Sequence, residues 1–207
     1  MFTNFFKLPT FEREKIIFKK VYSTIQTAIN SDLNIKIITY DNTTLFLKPH
    51  SILTNSEGIH NYVIGKTKIN DTDQFYIFPQ RINLISNVII NRKTKYQFTE
   101  ADYDIIKKMI RNGVQFFYQS KEENITIEFT KKGFDLYKRT FLQKPEPISP
   151  IKIENNKYIL EFDCSLFHMQ IYIYKFGEDA KIIKPKILAE TLKDFYFKAY
   201  SKYDDTE

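Results

Sequence analysis

The stretch LKPHSILTNSEGIHNYVIGKTKI, residues 47–69, reads as a strand, a glycine-bearing turn and a second strand. Asn55-Ser56-Glu57-Gly58 supplies the turn chemistry, and residues rich in β-branched and aromatic side chains flank it. His50, His60, Lys66 and Lys68 stand around this hairpin. Such residues suit a binding surface, and they equally suit the solvated face of an ordinary sheet. The hairpin by itself leaves both readings open.

Working outward, more short segments of the same character appear. They are NIKIITY (34–40), TTLFLKP (43–49), NYVIGK (61–66), QFYIFP (74–79) and RINLISNVII (81–90), punctuated at Asp41-Asn42 and Asn70-Asp71. Together they predict a small antiparallel sheet or barrel. Ahead of them, Ile17, Val21, Ile25, Ala28 and Ile29 recur every three or four residues, which predicts one amphipathic helix over 11–29 packed on the sheet.

Thr99-Glu100-Ala101-Asp102 resembles a capping box, and Ile105, Ile106, Met109 and Ile110 follow at helical spacing. This predicts a linking helix over 99–120. Beyond it come a strand (125–129), a helix (131–142) and a loop in which Pro145, Pro147 and Pro150 forbid regular structure. Two strands across Asn155-Asn156, a helix to Tyr174, a break at Phe176-Gly177, a strand at 180–185 and a helix over 186–203 complete the chain. The fold class is α+β, with residues 1–98 as helix plus sheet, 99–120 as the link and 121–207 as a ferredoxin-like second domain.

At 207 residues, 43% hydrophobic and 27% charged, the chain is globular rather than disordered. Its net charge of +6 favours a polyanionic partner such as nucleic acid. A Lys-, Asn- and Ile-rich, Gly-poor composition is also what an AT-rich genome produces. The single cysteine, Cys164, excludes an internal disulfide and agrees with a reducing cytoplasm. No run of about 18 apolar residues is present, so no membrane partner is expected. MFTNFFKLPTFEREK lacks the marks of a secretory leader. A soluble, cytoplasmic protein is the expectation.

A four-ligand zinc site needs Cys or His in close pairs, and of the three histidines and one cysteine only Cys164 and His168 lie close in sequence. There is no G-x-S-x-G elbow and no phosphate-cradling G-x-x-x-x-G-K. Cys164 ends an apolar strand, where an inert thiol is usual. These readings predict no enzyme, no metal and no cofactor. Aromatic residues do interleave with bases: Tyr62 with Lys66 and Lys68; Phe75, Tyr76 and Phe78 with Arg81; Tyr172 and Tyr174 with Lys175. Stacking platforms beside phosphate-neutralising cations are what single-strand binding needs. Plain strand alternation gives the same pattern without a ligand.

The order of the segments carries a family likeness. A helix is followed by IKIITY closing on Tyr40, FLKPH, a turn at Gly58, NYVIG and QRI at 80–82, and the chain ends in YKFGEDAKIIKPKILAETLKDFYFKAYSKY. Over roughly residues 17–203 this resembles a WYL domain followed by its C-terminal extension, WCX. Asn61, Tyr62 and Val63 stand where the family has Trp-Tyr-Leu, and Pro49-His50 is similar to the Pro-His of WYL regulators linked to phage defence. The resemblance implies an Sm-like or SH3-like barrel with an N-terminal helix. It also implies a face that binds single-stranded RNA or DNA or a nucleotide, and homodimerisation. The settings it implies are transcription control, antiviral defence or service as a CRISPR accessory.

The resemblance further implies that Tyr40, His50 and Arg81 face the pocket, with Arg81 as the phosphate anchor; the plain alternatives are a turn carbonyl as partner for His50 and a salt bridge to a carboxylate of the second half for Arg81. Lys66 and Lys68 would track a backbone or else guard a sheet edge. Tyr62 belongs to the name-giving motif, where it is a candidate for the ligand face or else a core residue, and His60 is expected to be solvated. The chain departs from the family where Phe75 and Phe78 replace arginines and Gln80 replaces an Asp. It also has too few residues before the first helix for a helix-turn-helix, so operator recognition is not expected of it. Rings in place of guanidinium forks cannot hold phosphate. Phe75 and Phe78 therefore also fit an alternative: a protein-interaction subunit with a degenerate pocket, docking on a nuclease, a CRISPR effector or a DNA-binding partner.

Overall fold

Pro9 and Thr10 start a short helix, α1 (Thr10–Ile17), with Glu12 in its first turn. It stops at Phe18, whose backbone leaves helical geometry (φ −99°, ψ 28°), and α2 (Lys19–Asn30) resumes at once. The single helix expected over 11–29 is thus two. Phe18 packs on the first core, whereas Ile17, expected on the buried face, is 63% exposed. A computed structural model describes residues 5–68, 74–92, 96–116 and 124–204. Ile69, the turn expected at Asn70-Asp71 and the chain end beyond Asp204 lie outside them.

The chain divides into two compact units, Met1–Ser120 and Lys121–Glu207. In the first, β1 (Asn34–Thr39), β2 (Thr44–Thr54), β3 (Asn61–Lys68), β4 (Phe75–Arg81) and β5 (Ile85–Asn91) form an antiparallel sheet in the order β4-β3-β2-β1-β5. Strand β2 is longer than TTLFLKP because it runs on through Pro49 and His50. Its first half pairs with β1 and its second with β3, and the register shifts between Pro49 and Ser51. Proline has no N–H to give a ladder, so a bulge at this point is where it does least harm.

Strands β4 and β5 occupy opposite edges, yet only the 3-10 turn Ile82–Leu84 joins them. Four strand spacings in a flat sheet would separate the edges by about 19 Å. Four residue steps from Arg81 to Ile85 span at most about 14 Å. The sheet therefore coils. Among the described residues β4 and β5 do not pair, so the expected barrel is an open, curled sheet.

Each face of that sheet is covered. Ile25 and Ala28 of α2 pack on Ile35, Ile37, Leu47, Val63 and Val88. On the other face Ile64 and Ile77 meet Ile106 and Met109 of α3 (Glu100–Asn112). Full burial of each such aliphatic side chain is worth about 1.5–3 kcal/mol. Helix α3 opens with the capping box of Thr99 and Asp102 that its sequence indicates. It belongs to the core of the first unit rather than standing apart as a link. Gly65 is dictated by space: a Cβ there would lie 2.3 Å from the Lys48 carbonyl oxygen and 2.7 Å from Leu47 Cγ.

The second unit runs β6 (Ile125–Phe129), α4 (Lys131–Arg139), β7 (Lys152–Glu154), β8 (Lys157–Phe162), α5 (Leu166–Ile173), β9 (Ala180–Lys184) and α6 (Lys186–Asp204). Its antiparallel sheet has the order β7-β8-β6-β9. Ile127, Phe129, Leu160 and Phe162 face Phe134, Tyr137, Met169, Tyr172 and Leu188 in one buried cluster. Among the described residues no helix is long and apolar enough to cross a membrane.

Candidate functional site

Glu14 is the least expected buried residue. It lies on α1, one turn before the exposed Ile17, and its carboxylate is nearly sealed from solvent. A buried charge survives only with partners, and β3 provides them. Oε2 accepts from the backbone N–H of Asn61 at 2.8 Å and from Asn61 Nδ2 at 3.0 Å. Oε1 accepts from His60 Nδ1 at 2.8 Å. Burial, reinforced by the Glu14 charge, pushes the neighbouring Tyr22 hydroxyl well up, so it stays a neutral phenol.

Arg81 closes this chain of bonds. Its Nη2 lies against the His60 ring, in contact with Nε2 and 3.0 Å from Nδ1. A guanidinium only donates, so Nε2 must accept, and Nδ1 then carries the hydrogen given to Glu14. One tautomer satisfies both neighbours. Arg81 is opposite Tyr62 in the β3–β4 ladder, which puts their side chains on one face. Burial raises the Tyr62 hydroxyl's pKa and Arg81 partly offsets that rise. Among the described residues no carboxylate pairs directly with Arg81, and its Nε is buried without a partner. The arrangement holds a cation in a fixed place with donors to spare, which is what an anion requires.

The other residues expected in one pocket are not gathered here. Lys66, expected to track a ligand, is buried: its Nζ donates to Asp102 Oδ2 at 2.6 Å and to the Gln97 carbonyl at 2.8 Å. It ties β3 to the start of α3, and a buried ammonium must take such partners. Burial pushes the Asp102 carboxyl up, but bonds from Lys66 and Thr99 outweigh it and hold the group below its usual range. His50 sits at the β2 bulge, edge-on to Phe98 and Tyr103 at 5.6 and 5.8 Å, with Nδ1 3.0 Å from Ser51 Oγ. Burial lowers its pKa. No described contact joins it to Arg81.

Tyr40 follows β1 with its side chain 65% exposed, held by its backbone N–H to the Leu84 carbonyl. Lys68, half-buried at the end of β3, is opposite Phe75. The Phe75 ring is 45% exposed and meets Tyr96 edge-on at 5.1 Å with Lys66 Nζ 5.4 Å away. Phe78 is half-buried against Tyr76. Of the expected group, Arg81 and Tyr62 adjoin, while His60, expected to be solvated, is the residue that holds Arg81. Sequence reading passed over Glu14 and Asn61; a carboxylate one turn ahead of the expected apolar stripe was the available signal.

A second feature is an open groove along β5, an edge strand that pairs with β1 on its other side, lined by Lys20, Ile89 and Arg92 among others. Among the described residues no three metal-ligating side chains converge.

No family model matches the sequence, and no curated protein does. Among solved structures, a CRISPR Cas-related protein is similar at TM-score 0.74 and 20% identity, over 98% of this chain and 57% of that one. The chain thus spans a little over half the length of that neighbour. Proteasome accessory factor B/C (PafBC) of Arthrobacter aurescens is a much looser likeness, at TM-score 0.36 and 12% identity over 91% and 28% of the two chains. The first likeness shows a shared fold, and the second is too loose to bear on it.

Proposed function

We propose that this protein is a non-enzymatic regulatory module of the WYL and WCX kind that binds a nucleic-acid-derived ligand, single-stranded RNA or DNA or a nucleotide, at Arg81. The carrying observation is the Glu14–His60–Arg81 chain, which fixes a guanidinium on the sheet without neutralising it. Tyr62, half-buried against the core that Ile64 and Ile77 form, places an aromatic ring beside it for a base. In this reading the curled first sheet is a barrel of the Sm-like type left open, the second unit is ferredoxin-like, and the module works as a cytoplasmic homodimer without a cofactor. The exposed aromatics Phe197, Tyr200 and Tyr203 on α6 support self-association. A neighbour of the same fold that is CRISPR Cas-related supports a setting in antiviral defence or transcription control.

The test is fluorescence anisotropy of the purified chain with short labelled single-stranded RNA and DNA. Wild-type binding should weaken with salt, and Arg81→Ala should lower affinity about ten- to a hundredfold, the range for charge-assisted hydrogen bonds. Unchanged affinity in a folded variant would rule the site out.

One observation favours a second reading, a protein-interaction subunit. Among the described residues β5 pairs with no strand but β1, and its outer edge, with the groove and the half-exposed Ile89, suits a partner segment that adds as a further strand. Such binding would persist at high salt, unlike a phosphate contact.

A further inference from the structure

The second unit holds two lysines that pair with no carboxylate among the described residues. After α4 the chain enters the proline-bearing loop 141–150, which is pinned at several points. The His168 Nε2–H group donates to the Gln143 carbonyl at 2.7 Å, the Tyr137 hydroxyl donates to the Pro145 carbonyl at 3.1 Å, and the Ile148 N–H donates to the Glu161 carbonyl at 2.9 Å. So tied, the loop sets Lys144 Nζ 4.2 Å from the centre of the Tyr137 ring and 5.9 Å from that of Phe141. Lys175, on the 3-10 turn after α5, sets its Nζ 4.0 Å from the centre of Tyr172. The two tyrosine rings are buried and meet edge to face at 6.2 Å. Legs of 4.2, 6.2 and 4.0 Å keep the two ammonium groups within about 14 Å of each other.

Aromatic faces attract cations but do not cancel their charge. Among the described residues no carboxylate pairs with either ammonium. Burial, uncompensated by a counter-ion, lowers the Lys175 pKa. Glu146 is the nearby acid; its charge acts on the hydroxyls of Tyr137 and Tyr172, whereas the ammonium groups stand over the ring centres. A phosphate is therefore drawn to the two ammonium groups and kept from the hydroxyl ends of the rings. Next to Lys144 the Phe141 ring is 82% exposed, an apolar face held in water beside a cation. Cations for a backbone and an open ring for a base are together the equipment of single-strand binding.

We propose that the second unit makes its own contact with single-stranded nucleic acid, with Lys144 and Lys175 taking backbone phosphates and Phe141 stacking on a base. This shares the ligand class of the proposed function but none of its residues.

The experiment titrates labelled 12-nucleotide poly(dT) and poly(U) with the full chain across a salt series, comparing wild type, Lys144→Gln/Lys175→Gln, Phe141→Ala and Arg81→Ala. Each phosphate contact on a single strand adds about 0.7 to the slope of log affinity against log salt. The double variant should therefore bind more weakly at low salt with a slope shallower by about 1.4. Phe141→Ala should lose about five- to 150-fold in affinity with the slope unchanged. Lys144→Arg/Lys175→Arg keeps both charges and should retain binding, which separates a charge effect from lost packing over the rings; circular dichroism checks each fold. Losses confined to Arg81→Ala would overturn this contact and leave the first-unit site standing. Losses confined to the second-unit variants would do the reverse. A wild type that binds neither oligonucleotide overturns both.

Discussion

Replacing Glu14 by Gln probes the logic of the first-unit site with a change of one atom. The glutamine amide has a single acceptor oxygen where three donors converge: Asn61 N, Asn61 Nδ2 and His60 Nδ1. If that oxygen stays with Asn61, the amide NH2 faces His60 Nδ1, which must then accept. The ring's hydrogen moves to Nε2, directly opposite the Arg81 guanidinium, and two donors now oppose each other. The substitution therefore passes through His60 and dislodges Arg81. Two bonds to Asn61 fall from charged to neutral strength, about 1 kcal/mol each, and a third, from Arg81 to His60, is lost. The His60 side chain is 24% exposed, so water takes over part of that third bond. A net cost of about 2–4 kcal/mol follows, enough to lower the melting temperature of the first unit by about 10 °C. The assay is long-range proton–nitrogen NMR of the three imidazoles together with anisotropy on labelled RNA. The expected result is a switch of His60 from the Nδ1–H to the Nε2–H form, with affinity falling close to that of Arg81→Ala. An unchanged tautomer with full affinity would refute the reasoning.

Asp102→Asn leaves the buried Lys66 ammonium without its counter-charge, and urea unfolding should show a loss of about 3–5 kcal/mol. The Asp102 pKa is depressed on folding, so its contribution is full above the unfolded value near about 4 and fades as pH falls further; the gap between wild type and Asp102→Asn should narrow in melts below that pH. His50 and His168 have pKa values lowered by burial, so the unfolded chain takes up more protons and stability should fall as pH drops below about 6.5. His50→Phe should flatten part of that fall in thermal melts. Gly65→Ala drives a methyl into the Lys48 carbonyl and Leu47, and should cost about 3 kcal/mol or more by denaturant titration.

Local pattern made much of the fold legible. The α2 stripe, the Thr99 capping box and the succession of strands and helices in the second half are written in spacings of two to four residues, and the elements stand where those spacings put them. What escaped depends on partners far along the chain. Lys66 looks like any solvated strand lysine until α3 brings Asp102, 36 residues away, against it. Glu14 meets His60 across 46 residues, so neither side chain announces the other. The break at Phe18 carries no proline or glycine to mark it, and Pro49 argued for the end of a strand that a bulge lets continue. Lys66 and Lys68 do share a face of β3, but Lys66 is buried on Asp102, and His50, which the likeness grouped with Arg81, meets Phe98 and Tyr103 instead.

In the proposed mode of binding a single strand lies against Arg81. Ultraviolet crosslinking of 4-thiouridine RNA to the full chain, followed by mass spectrometry of the digested adducts, tests it most directly. Adducts on the peptide carrying Tyr62, lost when Arg81 is replaced by Ala, are the result predicted. Efficient crosslinking with no adduct near Tyr62, or adducts there that persist in Arg81→Ala, would contradict it.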